Sequence, residues 1–269
     1  MTVRALRFPE GVACDGERLY VANSGGGDVR EYTKEGHLLR IFAPFGLPAG
    51  VAVHNGALYI ADRESGSVCR IDLRTEVRTV LLENLRAPSA LWADEETLAV
   101  AEAGAHRITL YDKVTLQVSA VFGNLEGVAG KGPRPVQPTG LVGCDDGTLW
   151  FVDAERSALR FMEGDRVVTA VGDGLFSDGD SYAAPVFRGI ACGRIGDGCG
   201  GGRLFVADTY NGKIKAYDPQ SERMMTLLEG LREPTGICKT GCSLYIAETG
   251  AHRVVRFDLS SMTMTPLPV

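Results

Sequence analysis

Short apolar runs, each bounded by turn residues, recur at nearly regular intervals along the whole chain. They are rich in β-branched and aromatic side chains, which is typical of strands. The clearest run ends in an acidic residue or Asn, here named the anchor of its repeat. Its six copies are Leu19–Asn23, Leu58–Asp62, Leu98–Glu102, Leu149–Asp153, Leu204–Asp208 and Leu244–Glu248. Sustained helical periodicity of apolar positions is missing from the sequence, which therefore predicts an all-β fold.

The six copies belong to a longer repeated unit of about 40 residues. Each unit opens with a strand entered through Pro-x-Gly or a variant of it. Two more strands follow the anchor in most units, as in Lys213–Asp218 and Met224–Leu228. Four strands per tandem unit are the pattern of β-propeller blades, so the sequence predicts one six-bladed propeller over residues 1–269. Two segments compete for the outer strand of the sixth blade: Thr263–Val269 and Thr2–Arg7.

The turns after three of the anchors carry a signature. Residues 101–108, 207–214 and 247–254 resemble the NHL repeat, whose common form is Ala-Asp-Thr-x-Asn-His-Arg-Ile. Residues 172–190 also resemble a segment of the NHL propellers that accompany thioredoxin-like domains; we expect no such domain here, so the resemblance implies no redox role. The resemblance extends over the whole chain and implies a six-bladed propeller. It implies no single chemistry, because related propellers include scaffolds, RNA binders, lyases and metal-dependent lactonases.

Charge and hydropathy restrict the classes of partner that this protein is expected to bind. The formal net charge is −6 and the sequence has no block of Lys and Arg, which argues against a nucleic-acid partner. Its apolar stretches are too short for a membrane span, and its opening residues lack the apolar segment of a secretory signal. Seven cysteines at uneven spacing favour a reducing compartment over a disulfide framework. We therefore expect a cytoplasmic protein without a membrane partner.

Repetition separates structural residues from candidate ligands. The anchors could form a ring of carboxylates that binds Ca²⁺. An acidic residue before a turn in nearly every blade is better explained by hydrogen bonds to turn amides. His106 and His252 occupy equivalent repeat positions, so we expect each to pack its own turn.

Four cysteines lie late in the chain, in two neighbouring repeats: Cys192, Cys199, Cys238 and Cys242. Their spacing differs from that of paired zinc ligands. We expect inert thiols, with Cys238 in a blade core, and no cofactor; bound Zn²⁺ is the alternative.

One column of the repeat breaks the pattern. It is the residue before the Gly that follows the strand-opening Pro: Glu10, Ala49, Ser89, Thr139, Arg188 and Thr235. These positions are expected at the channel mouth, where propellers usually bind ligands. We hypothesise that Arg188, with Glu10, Arg63, Trp92 and Tyr210, forms a pocket for an anionic small molecule or a peptide carboxylate. The alternative is a structural salt bridge between Glu10 and Arg188.

An enzymatic alternative also follows from the resemblance. Lactonases of the regucalcin and gluconolactonase kind carry a metal-binding Glu where Glu10 stands. Their Asn and Asp are replaced here by Thr139 and Thr235, which are poor ligands for a hard cation. Residues 61–66 look like a turn of the zinc-dependent amidating lyases.

The predicted function is a binding or scaffold module that holds a protein, peptide or small anionic ligand. The alternative is a hydrolase or lyase with a divalent metal at the channel. Three insertions interrupt the repeat, and we expect them to contribute to binding because loops often carry function: Gly123–Arg134, Gly172–Val186 and Gly193–Gly202.

Overall fold

The computed structural model describes residues 5–123, 134–172, 187–192, 199 and 201–269. The three predicted insertions fall largely outside these residues. Within the described ranges, no helix is long and apolar enough to cross a membrane. In the same ranges all longer elements are strands, joined by tight turns and three short 3₁₀ turns at Ser24–Gly26, Ala103–Ala105 and Thr249–Ala251.

The 24 strands form six antiparallel sheets of four strands, each built from consecutive strands of the chain. Blade 1 holds β1 (Pro9–Cys14), β2 (Arg18–Asn23), β3 (Asp28–Thr33) and β4 (Leu38–Phe42), and blade 2 holds β5 (Pro48–His54), β6 (Ala57–Asp62), β7 (Ser67–Asp72) and β8 (Arg78–Leu82). Blade 3 holds β9 (Pro88–Ala93), β10 (Thr97–Glu102), β11 (Arg107–Asp112) and β12 (Val118–Gly123), and blade 4 holds β13 (Pro138–Gly143), β14 (Leu149–Asp153), β15 (Ala158–Glu163) and β16 (Arg166–Val171). Blade 5 holds β17 (Phe187–Cys192), β18 (Leu204–Asp208), β19 (Lys213–Asp218) and β20 (Arg223–Leu228), and blade 6 holds β21 (Pro234–Thr240), β22 (Ser243–Glu248), β23 (Arg253–Asp258) and β24 (Thr263–Pro266).

The first strands of the blades surround a central channel and close the ring. Each contacts the first strand of the next blade, and β21 returns to contact β1. Second strands such as β6 and β22 are buried at every position, because neighbouring blades cover both of their faces. The outermost strand β24 is exposed throughout. The all-β, six-bladed prediction is confirmed.

Ring closure uses the C-terminal segment. Thr263–Pro266 supplies the fourth strand of blade 6, as one of the two predicted alternatives has it. The other alternative fails over residues 5–7, which form no strand, and its remainder lies outside the described residues. Every blade is therefore a contiguous stretch of chain, and side-chain packing holds the seam between blades 6 and 1. Leu6, Val12 and Leu19 pack there against Tyr245 and Leu267.

The anchors are structural, as predicted. All six are buried, with at most 2% of their surface exposed. Five of them accept hydrogen bonds from backbone amides of the loop that enters their own blade: Asn23 from Arg7, Asp62 from Gly46 and Leu47, Glu102 from Arg86, Asp153 from Val136 and Gln137, and Glu248 from Arg232. The sixth, Asp208, accepts from Asn211 and pairs with buried Lys215. In five of the six blades the anchor thus holds the entering loop on its blade.

The two repeat histidines join neighbouring blades. His106 and His252 both adopt left-handed backbone conformations, with φ of 57° and 55°. The ring of His106 contacts the carbonyl oxygen of Val136, which enters blade 4. The His252 ring accepts a hydrogen bond of 3.0 Å from the Phe8 amide and meets the Phe8 ring edge-on, with centroids 4.3 Å apart. Both histidines thus have a structural role, but each ring contacts the loop that enters the next blade rather than its own turn, and His252 does so across the seam.

We expect His252→Gly to lower the free energy of unfolding by about 1–2 kcal/mol, because it removes a hydrogen bond and an aromatic contact at the seam. Glycine is the appropriate replacement, since it adopts positive φ without steric cost. Urea denaturation of the purified chain measures the change. His37→Ala is the control, because His37 is exposed on an outer hairpin and its loss should change stability by less than about 0.5 kcal/mol. Equal effects of the two substitutions would contradict a closing role for His252.

Candidate binding site at the channel mouth

The six residues of the irregular column converge on one mouth of the channel. All of them line a single cavity of about 100 Å³: Glu10, Ala49, Ser89, Thr139, Arg188 and Thr235. They do so because each is the second residue of a first strand, and the six first strands begin at the same end of the ring. The predicted placement of this column at the channel mouth is confirmed.

The hydroxyl groups of the column donate hydrogen bonds to backbone carbonyls of neighbouring blades. The Ser89 hydroxyl donates to the carbonyl oxygen of Pro138 at 2.6 Å, and that of Thr139 donates to Phe187 at 3.2 Å. Thr235 donates to the Glu10 carbonyl at 3.1 Å. Each bond runs from one blade to the first strand of the next, so these side chains connect the blades around the channel.

Glu10 forms an ion pair with Arg63. The Arg63 Nη2 atom lies 2.7 Å from Glu10 Oε2, and Nη1 lies 3.4 Å from Oε1. Arg63 follows the anchor of blade 2, whereas Glu10 belongs to the first strand of blade 1. The predicted alternative, a salt bridge between Glu10 and Arg188, is not what the structure shows. Glu10 has a different partner, and Arg188 is left for other contacts.

Arg188 contacts Tyr210 of its own blade. Its Nη2 donates to the Tyr210 hydroxyl at 3.2 Å, and its guanidinium carbon lies 5.7 Å from the centre of the Tyr210 ring. The Nε atom of Arg188 is buried and has no hydrogen-bond partner. Within the described part of the chain, no carboxylate pairs with Arg188. The mouth thus holds two guanidinium groups and one carboxylate.

Trp92 lies at the other end of the channel. It lines the opposite mouth, a wider cavity of about 410 Å³, where a side chain on Gly143 would collide with its indole ring. Of the five residues predicted to form one pocket, the structure brings together Glu10, Arg63, Arg188 and Tyr210 and places Trp92 apart. The sequence did not reveal that Trp92 lies apart, because the mouth that a residue lines depends on its position along the channel.

The mouth does not fit the metal site of the enzymatic alternative. The Glu10 carboxylate is already neutralised by Arg63, and the hydroxyls of Thr139 and Thr235 donate to backbone carbonyls. In the lyase-like turn, Asp62 accepts backbone amides of its own blade. Among the described residues, no group of three or more His, Cys, Asp and Glu side chains is arranged to hold a metal ion.

The prediction that the late cysteines are inert thiols is wrong for two of them. Cys199 and Cys242 are not inert thiols but form a disulfide, with Cα atoms 5.0 Å apart. This bond removes two of the four thiolates that the zinc alternative needs; the Cys192 side chain lies outside the described structure. Cys238 is a buried free thiol, as predicted. Because disulfides persist in oxidising compartments, the cysteines no longer support a cytoplasmic location, which stays a prediction.

The curated relatives of this chain include proteins named for NHL repeats. NHL repeat-containing protein 2 of Gallus gallus is 26% identical over 98% of this chain and 48% of its own length. The protein of that name from Homo sapiens is 27% identical over 84% of this chain and 40% of its own length. The chloroplastic protein SUPPRESSOR OF QUENCHING 1 of Arabidopsis thaliana is 27% identical over 81% of this chain and 25% of its own. The chain thus spans less than half the length of these relatives. No family model matches it.

Solved structures share the fold. A chain of a nidogen–laminin complex superposes with a TM-score of 0.73 and 19% identity, covering 93% of this chain and 92% of its own. A streptogramin B lyase superposes with a TM-score of 0.69 and 13% identity, covering all of this chain and 85% of its own. At these identities the likeness concerns the fold alone. Fold and mouth together define a six-bladed β-propeller with a charged channel mouth. The relatives, together with the repeat signature and the six blades, support an NHL-repeat propeller.

Proposed function

We propose that this propeller is a binding module whose channel mouth holds the carboxylate group of a peptide or a small acid through Arg188. The fold and the NHL-repeat relatives support a scaffold or binding module. The observation that carries the finer proposal is Arg188, whose buried Nε lacks a hydrogen-bond partner.

The charges at the mouth favour an anion. Arg63 neutralises Glu10, so the guanidinium of Arg188 is the uncompensated charge among the described groups of the mouth. A buried donor without a partner costs about 1–3 kcal/mol, and a ligand oxygen that accepts from it recovers this cost. The planar fork of Arg matches a carboxylate bidentately, which a Lys could not do.

The size of the mouth limits what it can enclose. Its volume of about 100 Å³ is well below that of pockets that enclose a whole drug-sized ligand, about 300–1,000 Å³. The cavity therefore accommodates an end group, while the rest of the ligand stays outside. Tyr210 is 56% exposed beside Arg188 and offers an aromatic surface to that remainder.

The test compares N-acetyl-Gly-Gly with its C-terminal amide by saturation-transfer NMR and titration. We expect the free acid to bind and the amide to bind at least tenfold more weakly. In Arg188→Gln, affinity for the acid should fall at least tenfold, because a hydrogen bond to a charged group contributes about 1.5–3 kcal/mol.

Arg74→Gln is the matched control, because Arg74 is exposed on the β7–β8 turn away from the mouth. It should leave affinity for the acid unchanged. Equal binding of acid and amide, or equal loss of affinity in both variants, would rule out recognition of a carboxylate by Arg188.

A further inference from the structure

The seam between blades 6 and 1 carries two free thiols. Cys14 ends β1, the first strand of blade 1, and Cys238 lies in β21, the first strand of blade 6. These two strands meet where the ring closes. Among the described residues, no strand of one terminus joins the sheet of the other, so side-chain packing and a few hydrogen bonds hold this seam.

Both side chains belong to one apolar cluster at the seam and line the same cavity. Cys238 packs with Val12 and Leu19 of blade 1, and Cys14 packs against the same cluster. The Cys14 thiol donates to the carbonyl oxygen of Lys239, the residue after Cys238, at 3.4 Å. Burial raises the pKa of the Cys238 thiol, and the neighbouring Cys14 thiol raises it further.

The thiols differ in access. Cys14 is partly exposed and lines the wider channel mouth of about 410 Å³. Cys238 lines the same mouth but is only 8% exposed. A small molecule that enters from this mouth reaches Cys14 first.

The neighbouring seam already carries a covalent bond. The disulfide between Cys199 and Cys242 joins the loop before β18 of blade 5 to the turn between β21 and β22 of blade 6. That turn directly follows the strand of Cys238. An environment in which this disulfide persists also brings oxidants to the adjacent thiol pair.

We propose that Cys14 and Cys238 form a redox modification site, at which a small-molecule disulfide such as oxidised glutathione converts the thiol pair into a disulfide that covalently closes the ring. The Cys14 thiolate attacks one glutathione sulfur, which forms a mixed disulfide and releases one glutathione. The Cys238 thiolate then attacks the Cys14 sulfur and releases the second glutathione. Two cysteine thiols lose two electrons and two protons, and the oxidised glutathione takes them up as two thiols.

The experiment treats the folded chain with oxidised glutathione, denatures it in acid, alkylates remaining thiols and maps the unreduced peptides by mass spectrometry. We expect a peptide in which Cys14 is linked to Cys238, while Cys69 is alkylated as the internal control. Cys69 is fully buried away from this mouth. The melting temperature of the oxidised chain should rise by several degrees, because a cross-link that spans most of the chain restricts the unfolded state strongly.

Two variants test the order of the steps. Cys238→Ser should retain glutathione on Cys14, whereas Cys14→Ser should leave Cys238 unmodified; neither should gain thermal stability on oxidation. Three results would overturn the proposal: Cys14 that does not react in Cys238→Ser, wild-type protein that retains glutathione on Cys14 without the cross-link, or Cys14 or Cys238 linked to Cys199 or Cys242. The disulfide map of the wild-type protein tests the proposal even if a variant fails to fold.

Discussion

Gly236→Ala should destabilise the propeller by about 3 kcal/mol or more, since overpacking against rigid backbone exceeds the usual cost of extra methylenes in a core. An added Cβ at position 236 would lie 2.1 Å from the Glu10 carbonyl oxygen and 2.8 Å from the Val12 nitrogen. Both are backbone atoms of the neighbouring blade, so neither can rotate away. The first strands approach this closely because six of them surround a narrow channel.

Chemical denaturation, with near-UV circular dichroism as a second probe, measures this effect. Ala90→Gly is the matched control, because Ala90 occupies in blade 3 the repeat position that Gly236 occupies in blade 6, and its strand already accommodates a Cβ. The control should cost about 0.5–1 kcal/mol, the usual difference between Gly and Ala in a regular element. A Gly236→Ala protein as stable as the control would show that the seam can widen without loss.

Asp62→Ala should cost about 2–5 kcal/mol, because it leaves buried backbone amides without acceptors at about 1–3 kcal/mol each. The carboxylate of Asp62 is 2% exposed and accepts from the amides of Gly46 and Leu47 at 2.8 Å. Asp72→Ala is the control within the same blade. Asp72 accepts similar bonds from Arg74 and Thr75 on an outer turn, where water replaces them, so its loss should cost about 1 kcal/mol or less.

The contribution of Asp62 also depends on pH. Burial alone would raise the pKa of this carboxyl, but hydrogen bonds from the Leu47 and Gly46 amides outweigh burial and lower it. The native state therefore favours the charged form. Its stabilisation is complete above the unfolded pKa of about 4 and is lost as pH falls through the lower folded pKa. The stability difference between wild type and Asp62→Asn should shrink from pH 7 to pH 3; a constant difference would contradict this reading.

The regular parts of the fold could be predicted from the sequence, because each blade repeats one local pattern. The runs that end at Asp62 and Glu248 became β6 and β22, and the structural role expected for the anchors is the one observed. In each case the signal is local: a turn, a buried strand and an acceptor at a fixed distance along the chain.

The site could be predicted only in part from the sequence, because the pairing of side chains across the ring does not follow the repeat. The sequence marked Glu10 and Arg188 as exceptions, but their partners, Arg63 and Tyr210, are set by how neighbouring blades align. Trp92 was assigned to the wrong end of the channel because its position along β9, three residues after Ser89, decides which mouth it lines. The disulfide between Cys199 and Cys242 joins residues 43 positions apart, and their spacing gives no sign of that contact.

The sequence by itself determined the number of blades, the strands within them and the residues that hold each turn, because these depend on interactions within one repeat. Only the tertiary structure decided which charges neutralise one another at the mouth and which cysteines meet at the seams. Those contacts form between blades, where six strands converge on one axis, and the distances there depend on closure of the whole ring.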